Sequence, residues 1–181
     1  MKHRAGQLSL LQRTKAHYEQ CRGDARLQGA RAIQALGMNV RAMSCSRRAI
    51  EAIKEQWSPL RQPDTPSWDW EEIMRRYSDM KSLDLAVWTP DERLVLVAIA
   101  TFSPAALTLR YVEADPSPEC EFRGKRVLMA LEIATRYAQM CGLDELRIHP
   151  VNDALVQLYE TTYGFTLVKP KAEVPYWSRK I

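Results

Sequence analysis

The sequence predicts a mixed α/β domain with a helical extension at its N-terminus. Two short alternating segments, Leu83-Asp84-Leu85-Ala86-Val87 and Leu107 to Ala114, flank a nearly unbroken apolar run from Arg93 to Phe102. Alternation marks half-buried strands, and the continuous run marks a central one. Val127, Leu128, Leu131, Ala134 and Ala138 then recur at helical spacing before Gly142. With 181 residues, 46% of them hydrophobic and 27% charged, the chain is long and apolar enough to bury a core around these elements.

Residues 1–37 read as two short helices. Ser9 and Gln12 have the spacing of a capping box, and Gly23 can end the first helix in the left-handed conformation. Asp24 caps a second helix through Leu27, Ile33 and Leu36, which Gly37 stops. From Met38 the pattern changes to a short strand around Val40 and Ala42. Ser46 is placed to cap a helix carrying Ile50, Ile53 and Trp57, and Pro59, Pro63 and Pro66 form a loop. Ser67 is the expected cap of the next helix, where Trp70, Ile73, Met74 and Tyr77 share a face.

After the three strands comes an irregular loop, 115–122, with Pro116 and Pro118. A long helix follows from Gly124 to Met140. Glu145 to Val151 reads as a strand, Asn152 or Asp153 as the cap of a helix to Thr162, and Phe165 to Lys169 and Tyr176 to Lys180 as closing strands. From Met38 onward the order is β-α-α-β-β-β-α-β-α-β-β. There is no internal repeat and no low-complexity tract.

Several function classes drop out. No apolar run approaches the ~20 residues of a membrane span, and the Leu8–Leu11 cluster is too short for a signal-peptide core. Cys21, Cys45, Cys120 and Cys141 lie far apart with no CxxC pair, which argues against zinc and for reduced thiols in a cytoplasm. The net charge of +4 is uneven: residues 1–48 hold ten Lys/Arg against Glu19 and Asp24, a local +8, and the remainder is −4. Such a segment suits either an acidic partner such as nucleic acid or a solvated helix face.

Two segments carry a family likeness. The first is Glu121-Phe122-Arg123-Gly124-Lys125-Arg126-Val127-Leu128, at the start of the long helix. The second runs from Pro150-Val151-Asn152-Asp153-Ala154-Leu155 through Leu158-Tyr159 to Gly164-Phe165. With the strands before them, residues 38–181 resemble the GNAT superfamily of acyl-CoA-dependent N-acetyltransferases, residues 1–37 being a basic addition to that domain. The resemblance implies a mixed, mostly antiparallel sheet flanked by helices.

It also implies acetyl-CoA as cosubstrate and direct acetyl transfer to a primary amine of a small molecule, a protein or an aminoacyl-tRNA, with a homodimer expected. In that family an Arg/Gln-x-x-Gly-x-Gly/Ala turn wraps the CoA pyrophosphate, so Arg123, Gly124, Lys125, Arg126, Val127 and Leu128 are the implied phosphate cradle. Helix N-terminal amides are unsatisfied donors at the positive end of the dipole, and small residues let backbone approach phosphate. Arg126 and Leu128 stand where the family has small residues. Either Arg126 adds a charged contact, or the cradle is blocked and the protein is a non-catalytic GNAT-fold CoA sensor or partner binder.

Val112 and Ala114 are implied to hold the pantetheine amides through backbone, with Asn152 nearby. Asn152 also suits a simple helix cap. Tyr159 matches the residue that protonates the departing thiolate, or else packs as an aromatic beside Leu155 and Leu158. Glu113, expected on one face with Tyr111 and Leu109, is the candidate base or an exposed strand-end residue; His149 is the other candidate. Residues 47–82 would build the acceptor side, with Trp57, Trp68, Trp70 and Tyr77, joined by Trp177. Asp64, Asp69, Glu71 and Glu72 either attract an amine or merely suit a helix dipole.

Overall fold

The computed structural model describes residues 9–61, 68–150, 152–171 and 174–181. Ser67, Asp64 and Val151 lie outside them. One helix, α1 (Leu10–Ala35), replaces the two expected. The capping box forms as read: Gln12 N–H donates to Ser9 Oγ, and Ser9 N–H to Gln12 Oε1. The helix does not break at Gly23 because Cys21, Ala25, Gly29 and Ile33 form one buried stripe. Burying that stripe outweighs the ~1 kcal/mol that a mid-helix glycine costs. Gly37, at φ +82°, ends it as expected.

Next come β1 (Arg41–Met43) and α2 (Arg47–Ala52), which widens into a π-helical turn over Ile53–Trp57 and a 3-10 turn over Ser58–Leu60. Ser46 stands at the cap position of α2, but its hydroxyl makes no capping bond. The widened turn brings Gln56 and Trp57 onto the start of β3 (Leu94–Phe102), where Leu94 N–H donates to Gln56 Oε1 and Trp57 Nε1–H to the Leu94 carbonyl. Helix α3 (Trp70–Tyr77) is capped by the Asp69 carboxylate.

The remaining elements are β2 (Leu83–Trp88), β4 (Leu107–Ala114), α4 (Arg126–Met140), β5 (Glu145–Ile148), α5 (Asp153–Thr161), β6 (Thr166–Val168) and β7 (Tyr176–Lys180). They form a seven-stranded sheet in the order β1-β2-β3-β4-β5-β7-β6. Only β4 and β5 run parallel; the other neighbours are antiparallel.

Helices cover both faces. On one, α1 and α4 pack with Leu83, Leu85, Val95, Ala98 and Leu107; on the other, Trp57, Trp70 and Ile73 pack on Ala86, Trp88, Val97 and Ile99. α1 lies so close to α4 that a Cβ added at Gly29 would stand 2.5 Å from Ile133 Cγ1. The helical addition therefore shares the main core instead of standing apart from it.

Candidate active site

The site is created by a mismatch in strand length. β4 pairs with β5 only from Leu107↔Leu146 to Leu109↔Ile148, yet β4 continues to Ala114. Beyond Leu109 the two strands part, and no strand among the described residues takes the β5-side backbone groups of residues 110–114. Unpaired strand edges are templates for main-chain hydrogen bonding. A cleft of about 270 Å³ opens there, walled by Val112 and Ala114 of β4, Ile148 of β5 and His149 just beyond it, Leu155, Leu158 and Tyr159 of α5, and Gly124, Arg126 and Val127 at the start of α4.

A bulge shapes its closed end. Ile99 pairs with Tyr111 but Ala100 with Leu109, so Arg110 is the extra residue of β4. This corrects the expectation that Glu113 shares a face with both Tyr111 and Leu109. Leu109 belongs to the α4-side core and the cleft, whereas Tyr111 turns to the α3 side against Trp68 and Tyr77.

Glu113 also faces α3, outside the cleft walls. Both its oxygens are engaged: the Arg61 guanidinium donates to Oε1 and Trp70 Nε1–H to Oε2. Of the carboxylates expected to draw an amine, the three described ones are likewise in use. Glu71 pairs with Lys54, Glu72 with Arg75, and Asp69 accepts from Glu72 N–H.

At the open end, Gly124 adopts φ +83° in the turn before α4. The first helical amide with a backbone acceptor is that of Met129, to the Lys125 carbonyl. The amides of Arg126, Val127 and Leu128 have no acceptor among the described residues, no side chain caps the helix, and its first turn carries no acid. Leu128 packs against the main core and does not wall the cleft. Arg126 does wall it, and its guanidinium donates back to the Asp115 carbonyl.

Asp115, which pattern reading of the loop passed over, organises this corner. Its buried carboxylate accepts from Arg93 Nε at 2.6 Å and from Ser117 N–H at 2.9 Å. The sequence signal was an Asp two residues before a Ser in a Pro-bracketed loop, the pattern of an Asx turn.

Tyr159 reaches the cleft from α5, its ring buried against Tyr163 and Phe165. Its hydroxyl has no hydrogen-bond partner among the described residues, and burial pushes its pKa up to about 12. Asn152 performs the capping role, accepting from Leu155 N–H at 2.9 Å, and is exposed outside the cleft walls. His149 lines the cleft. Burial, helped by the nearby Arg110 charge, lowers its pKa below the usual imidazole value, against an opposing hydrogen bond with the Pro175 backbone.

Among solved structures, the ribosomal-protein-S18-alanine N-acetyltransferase of Escherichia coli superposes with a TM-score of 0.55 at 18% identity, over 78% of this chain and 94% of that one. Ard1 of Thermoplasma volcanium gives 0.55 at 10% identity, over 80% and 99%. A GNAT-family acetyltransferase of Staphylococcus aureus Mu50 gives 0.52 at 15%, over 78% and 98%. The chain has the GNAT fold. No model of a known protein family and no curated protein sequence matches it. The shared GNAT architecture includes the sheet and flanking helices expected from the sequence. No described helix is long and apolar enough to cross a membrane, and no three described His, Cys, Asp or Glu side chains gather as a metal site.

Proposed function

We propose that the protein is an N-acetyltransferase that moves an acetyl group from acetyl-CoA to a primary amine. One observation carries this reading: the gap between β4 and β5 joins an unpaired strand edge, a buried tyrosine with a free hydroxyl, and an uncapped helix N-terminus in one cleft. The residues fit the cosubstrate's chemistry. The edge of residues 110–114 offers amides and carbonyls to a pantetheine arm, and the α4 amides with Arg123 and Lys125 offer donors to a pyrophosphate. When bound, acetyl-CoA supplies an acyl group activated as a thioester.

The chain's own groups then have separable roles. With its pKa raised, Tyr159 keeps its proton throughout the working range and donates a hydrogen bond where negative charge develops on sulfur. Full proton transfer from it to a thiolate of pKa ~8.5 is uphill, so charge stabilisation is its main contribution. His149, held neutral, accepts the amine proton directly or through water. Glu113 acts on the acceptor side by fixing Arg61 and Trp70, and is freed as a base only if Arg61 moves.

A second reading, CoA binding without transfer, is favoured by the pinning of Arg126 to the Asp115 carbonyl. Calorimetric titration with acetyl-CoA and free CoA, followed by acetyl transfer to an amine panel, separates the two. Binding with transfer is expected. Binding without transfer to any amine supports the second reading, and failure of both ligands to bind at millimolar concentration overturns both.

A further inference from the structure

We propose that the acceptor is an amine bearing a carboxylate on the same carbon, of the α-amino-acid class, and that Arg110 binds that carboxylate. This rests on the acetyl-transfer reading of the cleft. The observation behind it is the sign of the charges left unused around the closed end. Of the carboxylates on the α3 side of the sheet, Glu113, Glu71 and Glu72 are each matched to a cation and Asp69 is spent capping α3. No ion pair with a described residue engages Arg110, although it lines the cleft. Arg76, which stacks on Tyr77, is likewise free of a carboxylate.

The geometry of Arg110 suits a bidentate contact. As the bulge residue it projects where β4 and β5 part, beside His149. Its Nε–H is fixed on Thr101 Oγ1 at 3.0 Å, which anchors the stem on β3. Both terminal nitrogens are left without partners among the described residues, and a guanidinium fork matches the two oxygens of a carboxylate. The phosphate-binding candidates are elsewhere: Ala114, near the α4 end, lies four residues along β4, about 13 Å away at strand rise. An anion at Arg110 is therefore a separate ligand group. A carboxylate held there stands next to His149, the neutral imidazole that can take a proton from a neighbouring amine.

The test uses matched amines that keep the amine and lose only the carboxylate: tyrosine and tyramine, arginine and agmatine, threonine and 1-amino-2-propanol. Each is titrated calorimetrically into the full-length protein with and without CoA, and each is assayed for acetyl transfer. At least one amino acid is expected to bind tenfold or more tightly than its decarboxylated partner, the size of a charge-assisted contact. Arg110→Gln should bring that ratio to about one, and Arg110→Lys should keep part of it. Equal or tighter binding of every decarboxylated member, or no binding by any member, overturns the proposal. Acetyl-CoA is titrated into the protein on its own, so its failure to bind marks the loss of the acetyltransferase reading alone. The ratio measured without CoA still decides the role of Arg110.

Discussion

Tyr159 fits both readings that sequence left level, because its ring packs like a core residue while its oxygen, in the cleft, has no hydrogen-bond partner among the described residues. Tyr159→Phe keeps the ring and removes the donor. Turnover is expected to fall by ~10²-fold, with CoA affinity changing less than threefold, as for loss of a donor that acts on developing charge. Equal loss in both would mean that the hydroxyl serves binding. His149 adds a pH signature. Its lowered pKa extends the neutral form below the usual imidazole range, so kcat/KM should rise with pH about a midpoint below the ordinary imidazole value of roughly 6.5. His149→Gln should remove the acidic limb. The same shift carries a stability cost: the unfolded chain takes up the proton first, so stability drops as pH falls below the ordinary imidazole pKa.

At the scale of elements, what was legible in the sequence is what local chemistry decides alone. The Ser9–Gln12 capping box, the Gly37 stop and strand β7 at Tyr176–Lys180 stand where pattern put them. The unbroken α1 was not legible, since Gly23 is a helix breaker locally and is overruled by a stripe whose partner lies on α4. Nor was the bulge at Arg110, which no side chain announces and which moves Leu109 off the face of Glu113. The Glu113 clamp draws on Arg61 and Trp70, 52 and 43 residues away. Gly29 tests the α1–α4 contact. Gly29→Val forces a branched side chain onto Ile133 and should cost roughly 1–3 kcal/mol in denaturant titration, whereas Gly23→Ala, with open space around its Cβ, should stabilise by up to ~1 kcal/mol. Deleting residues 1–36 should lower stability even where the oligomeric state is unchanged, because it uncovers buried residues of α4.

Across the whole molecule, much of the N-terminal charge excess is spent on holding the layers together. Arg41 and Arg48 converge on Glu92, and Arg22 donates to the Met80 and Ser82 carbonyls. The central link is Asp84 of β2. Its carboxylate accepts from Arg26 of α1 at 2.7 Å and from Cys45 N–H, just before α2, at 2.7 Å. One mostly buried side chain thus ties the helix on one face of the sheet to the chain entering the other. Removing one partner of such a pair strands the other, so Asp84→Ala should cost about 3 kcal/mol. For a chain of this size that lowers Tm by roughly 6–12 °C. The cycle of Arg26→Ala, Asp84→Ala and the double variant apportions the loss. If the ion pair dominates, the double variant should be no worse than Asp84→Ala, because the stranded guanidinium is gone as well. Additive losses would instead place the energy in the Cys45 amide and in the Asp84 carbonyl that Arg26 also grips at 2.6 Å. In that case α1 is held to the sheet through backbone, and the carboxylate serves the α2 side alone.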